Sequence, residues 1–144
     1  LIQAFGPEAR GSACSAQVVI CDEYIDYPYI KRPGMEVIMS QEAYTKFVPE
    51  LKDDGVLMYE SDLVNPKGLA PGIKAVGVPA TRIAEELGHK IILNIVMVGF
   101  FTAVSGLLSE ESVRKAIEAT VPSGTETLNL SAFERGFQYG KEQL

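Results

Sequence analysis

The side chains best placed to do chemistry lie near the start of the chain, in Phe5-Gly-Pro-Glu-Ala-Arg-Gly-Ser12. Gly6 and Gly11 carry no Cβ, so they permit tight backbone geometry and the close approach of a ligand. Arg10 is a planar fork of five donors, the shape that matches a phosphate or a carboxylate. Ser12 adds a hydroxyl and Glu8 a carboxylate. The chemistry expected of such a segment is anion binding in a glycine-flanked loop. The alternative is a surface loop in which Glu8 and Arg10 pair with neighbouring charges, and the residues alone leave both open.

Other reactive side chains are sparse. His89 follows Gly88, where a helix is expected to end, and reads as a surface or capping residue rather than a base. Val104-Ser105-Gly106 lacks the first glycine of a nucleophile elbow. No H-E-x-x-H and no Walker motif occurs. Asp22, Glu23 and Asp26 suit either a metal patch or, more simply, a solvated turn. The sequence holds 2 cysteines, Cys14 and Cys21, and 1 histidine. An iron–sulfur cluster or a structural zinc site takes four such ligands, so this chain cannot complete one alone. Cys14 and Cys21 fall in a stretch that reads as strand, where their odd separation sets them on opposite faces and disfavours a disulfide. Free thiols suit a reducing, cytoplasmic setting.

The elements that must position these groups follow from pattern. Gln17-Val-Val-Ile-Cys21 reads as a strand closed by the charged turn Asp22-Glu23. Pro28 and Pro33-Gly34 punctuate a loop. Glu36-Val-Ile-Met39 reads as a strand buried on both faces. Ser40 is a helix N-cap, with Ala43, Tyr44, Phe47 and Val48 on one face and Pro49 as the break. Val56–Tyr59 and Lys74–Val78 read as further strands, and Pro79 opens a helix that runs to Leu87 and stops at Gly88. Ile91–Leu108 is a long apolar segment. Ser109 caps a helix with Glu110 and Glu111 in its first turn and Val113, Ala116 and Ile117 as its buried stripe. A last helix is expected from Asn129 or Ser131, carrying Leu130, Phe133 and Phe137.

The apolar segment is nearly long enough to cross a bilayer, at about 27 Å for a helix rising 1.5 Å per residue. Asn94, Thr102 and Ser105 interrupt it, Gly99 and Gly106 weaken it, and no basic flank orients it. It reads as a core helix. Gly99 and Ala103 would let a second helix approach, and that contact is expected to serve a subunit interface.

Composition bounds the class. The 144 residues carry 13 basic and 19 acidic side chains, a formal net charge of −6, which argues against phosphate-backbone and anionic-lipid partners. Hydrophobic residues at 47% and charged residues at 22% describe a globular chain of one domain's length rather than a disordered one, and the alternation of strands and helices in its first half reads as α/β.

The ordered set of segments resembles the gamma subunit of 2-oxoacid:acceptor (ferredoxin) oxidoreductases. It comprises Phe5-Gly-Pro-Glu-Ala-Arg-Gly11, Ile20-Cys-Asp-Glu23, Tyr27-Pro28, Val37–Gln41, Gly55–Val64, Val78-Pro-Ala-Thr81, Ile83–Gly88, Asn94-Ile-Val-Met-Val-Gly99 and Asn129–Phe133 with Gly136. Val78–Thr81 and Asn94–Gly99 look more like the 2-oxoglutarate or general oxoacid branch than the pyruvate branch. The resemblance implies a three-layer α/β/α, Rossmann-like domain over residues 1–144 with a mostly parallel sheet. The C-terminal helices would cover one face and form much of the subunit interface. It implies a complex that oxidatively decarboxylates a 2-oxoacid with CoA and reduces ferredoxin. Thiamine diphosphate, Mg²⁺ and iron–sulfur clusters would be carried by alpha, beta and ferredoxin-like delta partners, with no catalytic or metal residue here. Gly6, Glu8, Arg10, Gly11 and Ser12 become the expected CoA contact. The family's opening strand, G-x-G-G-Q-G turn and helix do not stand before Leu1, so an N-terminally truncated domain is expected, and Ser12 replaces a second glycine. The rival expectations are a free-standing CoA- or nucleotide-binding module, and a purely structural protein that makes contact through Gly99, Phe100 and Phe101.

Overall fold

Val56-Leu-Met-Tyr-Glu60 is apolar at nearly every position, and such a strand is stable only when covered on both sides. The computed structural model, which describes residues 1–5, 14–27 and 29–144, places it at the centre of a sheet. The strands are β1 (Ile2–Phe5), β2 (Cys14–Gln17), β3 (Met35–Ile38), β4 (Val56–Glu60) and β5 (Lys74–Val78). The helices are α1 (Gln41–Phe47), α2 (Ala80–Glu86), α3 (Leu93–Ser105), α4 (Glu110–Thr120) and α5 (Glu126–Glu142), with 3-10 turns at Val48–Glu50 and Lys90–Ile92. Strands β3, β4 and β5 are parallel and adjacent in that order.

The register makes three layers. Leu57 turns to one face, with Ile38, Tyr44, Val48 and Leu51 from β3, α1 and the turn after it. Met58 turns to the other, with Val76, Val78, Val96 and Phe100 from β5 and α3. Helix α1 thus covers one face, and α2, α3 and α5 cover the other, as the α/β/α expectation requires.

Local chemistry sets the helix ends. The Ser40 side chain accepts from the Ala43 N–H, and that of Ser109 from the Ser112 N–H. Helix α2 ends in a Schellman arrangement. The His89 N–H donates to the Ala84 carbonyl and the Gly88 N–H to that of Glu85, with Gly88 at φ +86°. Helix α3 stops at Gly106, which adopts φ +62°. No helix among the described residues is long and apolar enough to cross a membrane.

Several expectations need correction. The strand read at Gln17–Cys21 forms earlier, as β2, and pairs antiparallel with β1 apart from the parallel sheet. Only Cys14 is therefore in a strand, and Cys14 and Cys21 are both exposed and free. Strand β3 is not buried on both faces. Among the described residues it stands at an edge, with Met35 and Val37 exposed. Ala116 is exposed, so the buried stripe of α4 is Val113 and Ile117. Helix α5 begins at Glu126, ahead of Asn129 and Ser131. Asn129 is buried within it, its amide donating to the carbonyl and the hydroxyl of Thr125.

The close helix approach foreseen at Gly99 is met inside the chain. A methyl at Gly99 would overlap the Phe133 carbonyl oxygen of α5, and a methyl at Gly136 would overlap the Val96 carbonyl oxygen of α3. Gly140 faces Ala103, where an added Cβ would lie 2.8 Å from the alanine methyl. Phe100 is fully buried in this contact and Gly99 is buried with it, so they are not a docking surface.

Candidate functional site

In open parallel sheets, ligands bind beyond the carboxyl ends of the strands, where the loops splay apart. Here that end is built from Ser40 after β3, Ser61 to Pro66 after β4, and Pro79 to Thr81 after β5. At the end of β4 and along the loop after it lies an open cleft of about 400 Å³ lined by Tyr59, Ser61, Asp62, Leu63, Val64, Asn65 and Pro66.

Glu60 organises this end. It is the last residue of β4 and fully buried, a position that tolerates a carboxylate only when its oxygens are satisfied. Its Oε2 accepts from the Leu63 N–H at 2.6 Å, and its Oε1 from the Thr81 N–H at 3.1 Å. One side chain thereby folds the loop after β4 and ties it to the start of α2. The Ser61 N–H donates to the Val78 carbonyl at 2.9 Å, which joins the same two strand ends through the backbone. The far side of the loop is held from α1. There the Asn65 N–H donates to Gln41 Oε1 at 2.8 Å, and the Tyr44 hydroxyl donates to the Lys67 carbonyl at 2.8 Å.

The cleft is polar and charge-balanced. Asp62, which lines it together with Ser61 and Asn65, pairs with Arg82, whose Nη2 lies 2.5 Å from Asp62 Oδ1. The Thr81 hydroxyl is buried nearby with no protein partner. These groups suit hydrogen bonding to a polar ligand. They supply no nucleophile paired with a base, since His89 is exposed on the far side of α2, after Gly88. No group of three or more His, Cys, Asp or Glu side chains among the described residues could hold a metal ion. Asp22, Glu23 and Asp26 are all exposed.

One carboxyl group is strongly perturbed, and it lies outside the cleft. Burial and the nearby Glu50 carboxylate push the Glu36 pKa up to about 7. Glu36 stands in β3 on the α1 face, paired in register with Leu57, and its Oε2 is buried with no hydrogen-bond donor.

The residues expected from sequence to touch CoA, namely Gly6, Glu8, Arg10, Gly11 and Ser12, lie outside the described residues. The segments on either side of them are described. Phe5 and Cys14 are partners in the β1–β2 register. Sequence reasoning missed Glu60, although one signal was available: a lone carboxylate closing an apolar strand, just before Ser61-Asp62.

Comparison with known proteins shows the family. Residues 2–139 match the family described as pyruvate ferredoxin/flavodoxin oxidoreductase. The chain is 43% identical over 142 residues to the 2-oxoglutarate synthase subunit KorC of Methanocaldococcus jannaschii, covering 97% of this chain and 76% of that one. It is 36% identical over 146 residues to the ketoisovalerate oxidoreductase subunit VorA of Methanothermobacter thermautotrophicus, covering 98% of this chain and 30% of that one. Among solved structures, the gamma subunit of keto/oxoacid ferredoxin oxidoreductase from Geobacter sulfurreducens superposes with a TM-score of 0.72 at 31% identity, over 96% of this chain and 79% of that one. The 2-oxoglutarate:ferredoxin oxidoreductase from Magnetococcus marinus, solved with 2-oxoglutarate, coenzyme A and succinyl-CoA, shares the fold. Its TM-score is 0.74 at 17% identity, over 99% of this chain and 25% of that one.

Proposed function

We propose that this chain, which belongs to the pyruvate ferredoxin/flavodoxin oxidoreductase family, is the gamma-type subunit of a multi-subunit 2-oxoacid:ferredoxin oxidoreductase. The reaction is the oxidative decarboxylation of 2-oxoglutarate or a similar 2-oxoacid. Substrate, CoA and two oxidised ferredoxins give acyl-CoA, CO₂, a proton and two reduced ferredoxins. The observation that carries this reading is the 43% identity to a 2-oxoglutarate synthase subunit along 97% of the chain. The shared fold of a gamma subunit that stands as a separate chain supports it.

Within such a complex, thiamine diphosphate with Mg²⁺ supplies the carbanion chemistry and iron–sulfur clusters carry the electrons. The residues of this chain do not fit a cluster, because 2 cysteines cannot supply four thiolates. Those groups belong to alpha and beta subunits and to a ferredoxin-like delta subunit, and ferredoxin is reached through the complex. The part assigned to this chain is to complete the assembly and to contact CoA. Arg10 would pair with a CoA phosphate, while Gly6 and Gly11 admit its close approach and Glu8 and Ser12 border it. A cytoplasmic location fits the exposed free thiols of Cys14 and Cys21.

Reconstitution tests both levels. The chain is purified alone and with its catalytic subunits, and reduction of a viologen dye by 2-oxoglutarate and CoA is followed. The complex turns over and the isolated chain does not. Turnover by the chain alone, or full activity of a complex lacking it, overturns the subunit reading. In the complex, Arg10→Ala raises the KM for CoA about tenfold or more, as loss of a charged hydrogen bond should. An unchanged KM removes the CoA contact and leaves the subunit role standing.

A further inference from the structure

We draw no further inference here: the strongest candidate, the polar cleft at the end of β4 and along the loop after it, belongs to the site already described, and nothing in the structure shows which ligand would fill it.

Discussion

Two glutamates in this fold show opposite ways of holding a carboxylate out of water. Glu60 is fully buried and satisfied, each oxygen accepting from a backbone N–H, and it uses that satisfaction to bind a loop to a helix. Glu36 is half-buried with one oxygen lacking a donor, and Glu50 adds like charge beside it. Its pKa rises from 4.5 to about 7 in the folded chain. Unfolding returns it to the ordinary carboxylate range. Between about pH 4.5 and 7 the folded state therefore binds more protons than the unfolded state, so this group's contribution to stability is lost as pH rises through that window. Glu36→Gln removes the effect. The variant should be more stable than wild type at pH 8, with the advantage shrinking towards pH 5, read as urea midpoints at both values. An equal difference at the two pH values would sink this account of Glu36. Its position in a short strand was legible in the sequence, but its perturbation was not. That depends on Glu50, which comes close only when the turn after α1 packs back.

Among the elements, the α3–α5 pair has the least tolerance. Each helix presents a glycine to a backbone carbonyl of the other, Gly99 to Phe133 and Gly136 to Val96. Backbone cannot move aside as a flexible side chain can, so an added methyl must separate the helices and open the core around Phe100 and Phe133. Gly136→Ala should cost about 3 kcal/mol, the upper end for overpacking a core. The exposed control Gly34→Ala, where an added Cβ meets nothing within 4 Å, should change stability little. Thermal melts of the two variants decide the matter: similar melting temperatures would mean that the helices have room to spare. The sequence showed that Gly99 and Ala103 permit a close neighbour. It could not say that the neighbour is α5 of the same chain, because the matching glycines, Gly136 and Gly140, lie some forty residues on and meet α3 only after folding.

At the scale of the molecule, burial among the described residues begins at Ile38 in β3, and residues 14–27 form an arm before it on which Tyr24 and Tyr27 are exposed. Chymotrypsin should cut the full-length chain first after Tyr24, the most exposed aromatic residue of the arm, with α1 to α5 resisting at the same dose. The cut protein should keep the melting temperature of the uncut one, since no described residue before Ile38 is buried. First cleavage at Phe100 or Phe133, or unfolding on cleavage after Tyr24, would show that body and arm are one cooperative unit.

The sequence by itself determined the class of fold and the family. Periodicity located β4, β5 and α1 to α4, because runs of apolar residues and the helix-ending signals at Ser40, Gly88, Gly106 and Ser109 write their environment into neighbouring residues. The ordered motifs carried the family. Tertiary structure alone decided that Glu60 joins two loops, that α3 is covered by α5, and that apolar side chains are exposed both before β3, at Val18, Ile20 and Tyr24, and around α3, at Ile91, Leu107 and Leu108. Each of these depends on residues far apart in the chain meeting in space. Burial is a property of such meetings, and local sequence records only the demand for it.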